Sequence, residues 1–344
     1  MKKLKVGVIG LGMGSWHING YRQHKAAEVV AISDPDLKRL EWAGNKYKIS
    51  RRYGDPAEML KREKLDIVSV ATPNKFHKPW TIAALRAGAH VLCEKPMAMN
   101  AGEAREMLAA ARKARRRIMI DFSYRFSGAA RALKKVADSG CAGEFYYGRT
   151  MWHRRRGIPG LGGWFGRKEL AGGGPLIDLG VHRLDLALWL MGYPKPVWVM
   201  AGAYNALGLA MAKKAGKKFS VEDLAGGIIR FANGAALVVE ASWAGNIPEK
   251  ELMETRLWGT KAGLIHRNAI DTYDFEALVC RAKKDGGVAC ENLPPSPGRS
   301  AMHDFVEAIV KHKPHNASGE QGLVVMELLD ALYASARVGR PIRV

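Results

Sequence analysis

Three short segments of this sequence combine residue types that can act on a substrate. Residues 93–96 read CEKP; the Lys95 ammonium can hydrogen-bond a hydroxyl and stabilise alkoxide charge as it develops. Residues 172–185 read GGGPLIDLGVHRLD. Pro175 suits the first turn of a helix and Gly192 its end. Asp178, His182 and Asp185 then fall at i, i+4 and i+7, on one face. His182 titrates near neutrality and can take a hydroxyl proton, with Asp178 orienting it or touching the substrate. These two carboxylates and one imidazole could also hold a metal, but a fourth ligand is not evident, and no metal is expected. The third segment, residues 71–77, reads ATPNKFH.

A fourth segment is built for an anion. Residues 6–17 read VGVIGLGMGSWH, an apolar run that enters glycines and then a helical pattern. Gly10 permits a tight turn, Gly12 lets the backbone approach a pyrophosphate, and the N–H groups from Met13 onward receive its charge. Gly14 or Ser15 must serve where the usual pattern has its third glycine. Asp34 closes the next apolar run, where a carboxylate can accept both ribose hydroxyls of an adenosine. It repels a 2′-phosphate, so NAD is favoured; Lys38 and Arg39 stand near enough to weaken that preference and admit NADP. Thr72, Pro73, Asn74, His77, Glu94 and Lys95 follow further apolar runs and are expected to line the same cofactor crevice, outside the carboxyl ends of strands.

The elements that must position these groups differ between the two halves. Up to residue 123, apolar runs at 4–9, 28–33, 66–71, 89–93 and 117–122 alternate with helical patterns at 16–25, 36–47, 56–61, 79–87 and 101–115. Alternation of this kind predicts right-handed βαβ crossovers and a parallel sheet covered on both faces. Later runs at 145–152, 197–204, 226–231, 235–243 and 251–258 read as longer strands, with helices at 175–191, 302–311 and 320–336. Asn233-Gly234 signals a two-residue hairpin turn. The expected architecture is an α/β Rossmann domain over 1–123 and an α+β domain over 124–344, whose last segment could pack back on the first. In the second domain Tyr124, Arg125, His153, Arg154 and Trp164 are candidates to contact substrate beside Lys95, Asp178 and His182. Arginines there would clamp an anionic group; a solvated basic loop is the blander reading.

Composition removes several classes. The chain has 344 residues, 47% of them hydrophobic, which is too apolar for a disordered tail. Its 54 Lys+Arg against 33 Asp+Glu give a net charge of +21, which attracts anions generally. No zinc-finger spacing, aromatic RNA-binding pattern or heptad accompanies that charge, so nucleic acid is not an expected partner. The denser basic points include 115–117, at the end of a helical stretch, and 154–156. No apolar run reaches the roughly 18 to 20 residues of a membrane span, so no membrane partner is expected either. Lys2, Lys3 and Lys5 resemble the start of a signal peptide, but the apolar run at 6–9 is too short to complete one, and the chain reads as cytoplasmic. Four cysteines cannot form a disulfide scaffold. Cys280 and Cys290 could face each other across a hairpin, but two unpaired buried thiols are the favoured reading, and with Cys93 and Cys141 they fit a reducing compartment.

Taken together, GLGMGSWH, ATPNKFH, CEKP, GGGPLIDLGVHRLD, VEDLAGGIIRFANG and the closing LLDALYASARVGRPI resemble the Gfo/Idh/MocA oxidoreductase family over nearly the whole length. The shortened glycine loop departs from the commoner pattern. The resemblance implies a Rossmann domain followed by a domain with a large, open, predominantly antiparallel sheet, whose flat face supports homodimers or homotetramers. It implies NAD(P)-dependent hydride transfer at a hydroxyl of a sugar, cyclitol or related polyol. By motif position Lys95, Asp178 and His182 match the family's catalytic trio, and Pro96 matches a proline often preceded by a cis peptide. Two alternatives stay open: tightly held NAD used for transient oxidation in glycoside cleavage or epimerisation, and a non-catalytic NAD-binding regulator.

Overall fold

A computed structural model describes residues 3–344, and the chain divides into two units. The first takes the described residues up to Phe122 together with Arg299–Met326; the second takes Ser123–Gly298 and Glu327–Val344.

In the first unit the alternating runs become β1 (Leu4–Ile9), α1 (Gly14–Arg22), β2 (Ala27–Ser33), α2 (Leu37–Tyr47), β3 (Arg51–Tyr53), α3 (Pro56–Arg62), β4 (Ile67–Val70), α4 (His77–Arg86), β5 (His90–Cys93), α5 (Ala101–Ala114) and β6 (Ile118–Ile120). The strands form one sheet in the order β3-β2-β1-β4-β5-β6, every pair parallel. Val6, Val8, Ile67, Val68, Val70, Val91 and Leu92 are fully buried, as strands covered on both faces require. Local chemistry sets the helix starts: Asp36 caps α2 by accepting from the Lys38 and Arg39 amides, and Asn100 caps α5 by accepting from Glu103. The basic run after α5 is occupied structurally. Arg116 Nε donates to the Gly88 carbonyl, and Arg117 Nη1 donates to Ala308 at 2.9 Å.

The second unit opens with α6 (Gly128–Asp138) and β7 (Phe145–Arg154), followed by α7 (Lys168–Ala171) and a π-helical turn, Leu176–Gly180, that runs into α8 (Val181–Leu190). Then come β8 (Pro196–Tyr204), α9 (Ala206–Lys214), β9 (Leu224–Phe231), β10 (Ala236–Ser242), β11 (Glu251–Gly259), β12 (Gly263–Asn268), β13 (Phe275–Ala282), β14 (Val288–Asn292) and the short β15 (Ile342–Arg343). The sheet order is β14-β13-β12-β11-β7-β10-β9-β8-β15, with β10 and β7 parallel and the other pairs antiparallel. Leu133 of α6 and Leu186 and Leu190 of α8 share a buried cluster with Leu257, Leu264 and Val279 of the sheet.

Three expectations are corrected here. The Asn233-Gly234 hairpin forms with a longer loop: the Phe231 amide bonds the Ala235 carbonyl, and Gly234 takes φ +85 in the loop 232–234. The helix expected over 175–191 begins as a π turn. Cys280 and Cys290 are not two buried free thiols: β13 and β14 pair them in register and they form a disulfide, with Cys290 exposed. That pairing removes the support that four free thiols lent to a reducing compartment.

Candidate active site

The glycine loop is the first component. Gly10 has φ +85, and a Cβ there would meet the Ala71 carbonyl oxygen at 2.5 Å, so the turn after β1 can lie against the end of β4 only without a side chain. A Cβ on Gly14 would meet Val8 Cγ1 at 2.8 Å, which makes Gly14, not Ser15, the glycine that lets α1 pack closely on β1. A Cβ on Gly12 meets nothing within 4 Å. Protein packing therefore leaves a cradle in front of Gly12, at the N-terminus of α1, and a pyrophosphate fits it. Met13 beside it is exposed. Asp34 directly follows β2 and is 2% exposed; its Oδ2 accepts from the Leu11 amide at 2.8 Å and its Oδ1 from the Asp36 amide at 2.9 Å. Arg39 Nη1 lies 3.2 Å from Asp34 Oδ2. Of the two cations expected to weaken the preference for NAD, Arg39 is thus in contact with that carboxylate.

Past β4, Thr72 and Pro73 are half-buried and Asn74 is buried in a 3-10 turn. His77 is 1% exposed, and its ring bridges two backbone carbonyls, Pro96 at 2.7 Å and Thr72 at 2.8 Å. Burial lowers its pKa, with the two carbonyls partly offsetting that, and its work is to tie the loop after β4 to the loop after β5. The Lys95-Pro96 peptide is cis. Lys95 is half-buried. Glu94, expected to line the cofactor crevice, accepts at Oε1 from His17 Nε2 at 2.9 Å and at Oε2 from the Lys95 amide at 3.1 Å. The ring of His77 and the carboxylate of Glu94 thus hold together the loops that follow β4 and β5 and the start of α1. Neither His17 nor Asp121, which lies 3.5 Å from the same nitrogen, is assigned by sequence analysis. Asp121 follows β6 directly, so the carboxyl-end rule could have found it.

In the second unit, Gly172–Gly174 is anchored by Glu222, which accepts from the Gly174 amide at 2.9 Å, the Leu176 amide at 3.2 Å and the Tyr333 hydroxyl at 2.7 Å. A Cβ on Gly174 would strike the Glu222 carbonyl. This anchor starts the π turn that carries Asp178, whose Oδ2 accepts from the Trp243 indole at 3.0 Å. His182 follows on α8, 9% exposed, with the Tyr124 ring edge-on at 5.0 Å and the Trp152 ring at 5.8 Å. Phe165 meets Trp243 edge-on, and Trp164 stacks on Phe165 at 3.8 Å. Asp178 and His182 thus share a wall of aromatic faces, of which sequence analysis names Tyr124 and Trp164 but not Trp152 or Trp243. Strand alternation on β7 would have paired Trp152 with Arg154.

Other expected substrate contacts are redirected. Arg125 is 1% exposed and grips Asp185 through Nε at 2.7 Å, with Tyr193 bonded to both. Asp185 therefore does not join Asp178 and His182, and the three-ligand set imagined for a metal dissolves. His153 falls on the face of β7 opposite Trp152, 3.5 Å from Glu240, because successive strand residues point to opposite faces. Arg154 keeps the Trp152 side: its guanidinium lies 5.2 Å over that ring, and Nε meets Glu251 at 2.9 Å. Arg155 and Arg156 donate to the Pro248 and Gly245 carbonyls at 3.0 and 2.9 Å.

A parallel-sheet unit with an NAD-type glycine loop, joined to a unit presenting a carboxylate and a histidine beside aromatic rings, defines a dinucleotide-dependent oxidoreductase. Residues 4–122 match the oxidoreductase family with an NAD-binding Rossmann fold, and residues 130–265 match the Gfo/Idh/MocA C-terminal domain. The chain is 36% identical to the D-glucoside 3-dehydrogenase of Escherichia coli K12 over 98% of its own length and 96% of that protein. It is 29% identical to the D-apiose dehydrogenase of Paraburkholderia graminis, covering 99% of this chain and 90% of that one. Levoglucosan dehydrogenase, solved with NADH and L-sorbose, superposes with a TM-score of 0.88 at 25% identity, over 100% of this chain and 99% of the other. The chain belongs to the Gfo/Idh/MocA oxidoreductase family, and its cofactor is NAD.

Proposed function

We propose that this protein oxidises a hydroxyl of a sugar or glycoside with NAD, or reduces the corresponding ketone, with Lys95, Asp178 and His182 as its catalytic residues. The observation that carries the reading is the setting of His182: a buried imidazole four residues after Asp178 in the chain, flanked by the Tyr124 and Trp152 rings, aromatic groups suited to the C–H face of a sugar ring. The bound nicotinamide takes up or returns the hydride. His182 removes the proton of the reacting hydroxyl. Lys95 donates to the oxygen and stabilises its growing negative charge. Asp178, held by Trp243, orients His182 or a neighbouring hydroxyl. Tyr124, Arg154 and Trp164 contribute to the sugar subsite. The experiment is a panel of sugars, glycosides and cyclitols followed by NADH absorbance, with NAD and NADP in parallel. Reduction of NAD by a sugar or glycoside is expected; NAD binding without turnover on any polyol would contradict it.

The reading extends to a cytoplasmic homodimer or homotetramer. Its support is the sheet face turned away from α6 and α8, where one cross-strand row runs Met200, Ile228, Val238, Arg149, Arg256, Ile265 and Leu278. Among the described residues no helix is long and apolar enough to cross a membrane. Nucleic acid is not part of this reading; Arg116, Arg117, Arg155 and Arg156, in the two denser basic points, each donate to a backbone carbonyl. Light scattering and cell fractionation test these points; a monomer, or a membrane-bound or exported protein, would contradict them.

A further inference from the structure

Behind Lys95 lies a buried cluster that the reaction above does not use. His17 of α1, Glu94 after β5 and Asp121 after β6 are 1%, 8% and 7% exposed. One imidazole nitrogen carries one proton. His17 Nε2 gives it to Glu94 Oε1 at 2.9 Å, which leaves Asp121 Oδ2 outside bonding distance at 3.5 Å. Asp121 Oδ1 is also buried and has no hydrogen-bond partner.

Two carboxylates around one N–H, where water is excluded, are not both comfortably ionised. Glu94 is secured by His17 and by the Lys95 amide; Asp121 is the acid left to hold a proton. Burial and the charge of Glu94 push its carboxyl up to about 7, while His17 and Lys95 pull it down. Burial disfavours the charged form of His17, but the Glu94 hydrogen bond and both carboxylates outweigh it and raise its pKa. The other facing groups are Ser69, 3.0 Å from His17 Nδ1, Tyr21, bonded to Ser69 at 2.9 Å, and His77, whose charge acts on Glu94.

We propose that Asp121 is a positioning residue for Lys95: it stores an exchangeable proton in the His17–Glu94–Asp121 cluster, and releasing that proton adds the negative charge that attracts the Lys95 ammonium and holds it in place. This rests on the role given to Lys95 above. A carboxyl whose proton leaves near neutrality makes Lys95 fully supported above that range and less so below it, so turnover falls as pH falls through the range.

The test is infrared difference spectroscopy of the intact protein across neutral pH. A buried protonated-carboxyl C=O band is expected to disappear as pH rises, and to be absent in Asp121→Asn. In Lys95→Met the band should persist to higher pH, by about one pH unit, because a cation that lowered the Asp121 pKa is gone. Asp121→Asn should lower kcat about tenfold with little change in KM for NAD, and Asp121→Glu should recover part of it. No titrating band, a band indifferent to Lys95→Met, or a stoichiometric divalent metal held by the cluster would overturn the proposal. If Asp121→Asn does not fold, the comparison of wild type with Lys95→Met still decides it. Normal turnover by Lys95→Met would instead remove the role of Lys95, whatever the infrared result.

Discussion

The indole N–H of Trp243 donates to Asp178 Oδ2 at 3.0 Å, from the residue after β10 to the middle of the π turn. Trp243 is fully buried, so this bond fixes one carboxylate oxygen without competition from water. Hydrogen bonds to charged groups contribute about 1.5–3 kcal/mol. Trp243→Phe keeps an aromatic body and removes the donor. Its kcat/KM for the sugar should fall about 10- to 100-fold with NAD affinity unchanged. Steady-state kinetics with a cofactor titration checks this; an unaltered kcat/KM would mean that Trp243 does not position Asp178.

Asp185 predicts stability instead of activity. It and Arg125 are each 1% exposed and bonded through both ends of the guanidinium fork. Asp185→Ala strands a buried cation and should cost about 3–5 kcal/mol in urea unfolding. Arg125→Met with Asp185→Leu, which removes both charges, should recover most of that. A single-variant loss below about 1 kcal/mol would contradict the pairing.

The glycines of the cofactor loop should separate binding from folding. Gly12→Ala places a methyl where no protein atom lies within 4 Å, so the apoprotein's Tm should hold while its Kd for NAD rises at least tenfold. Gly14→Ala drives a methyl to 2.8 Å from Val8 Cγ1, so Tm should fall by several degrees. Scanning calorimetry of the apoprotein beside isothermal titration with NAD would reveal the reverse pattern if the roles were exchanged.

Cofactor choice should turn on Asp34. Its carboxylate holds the Leu11 and Asp36 amides and lies 3.2 Å from Arg39. Asp34→Ala removes the charge that repels a 2′-phosphate and frees Arg39 to meet one. The NADP-to-NAD ratio of kcat/KM should rise at least tenfold, about 1.4 kcal/mol, and adding Arg39→Ala should reverse part of the gain. A ratio unmoved by either change would show that discrimination lies elsewhere.

The first unit is legible in the sequence because its signals are local. Buried strands appear as apolar runs, and Asp36, Asn100 and Gly10 mark the turns between them. β3 is lost because three residues, Arg51–Tyr53, carry no periodicity. β14 is lost because all five of its residues are exposed, which erases the alternation. α6 has a readable apolar face in Ala129, Ala130, Ala132 and Leu133 that sequence analysis leaves unassigned. At the candidate site, motif position points to Asp178 and His182, but their partners are not local. Arg125 and Asp185 are far apart in sequence, and only the packing of α8 shows that they neutralise each other. Nor does spacing tell that Glu94 serves His17; that His153 faces away from Trp152 is legible from strand alternation on β7.

In the proposed reaction Lys95 and His182 perform the chemistry while other residues bind the cofactor. The most direct measurement is the single-turnover rate of NADH formation in Lys95→Met and His182→Asn, each beside its Kd for NAD. A fall of about 10²- to 10⁴-fold in each rate with Kd changed little is expected. Single-turnover rates near that of the unaltered protein in either variant would contradict it.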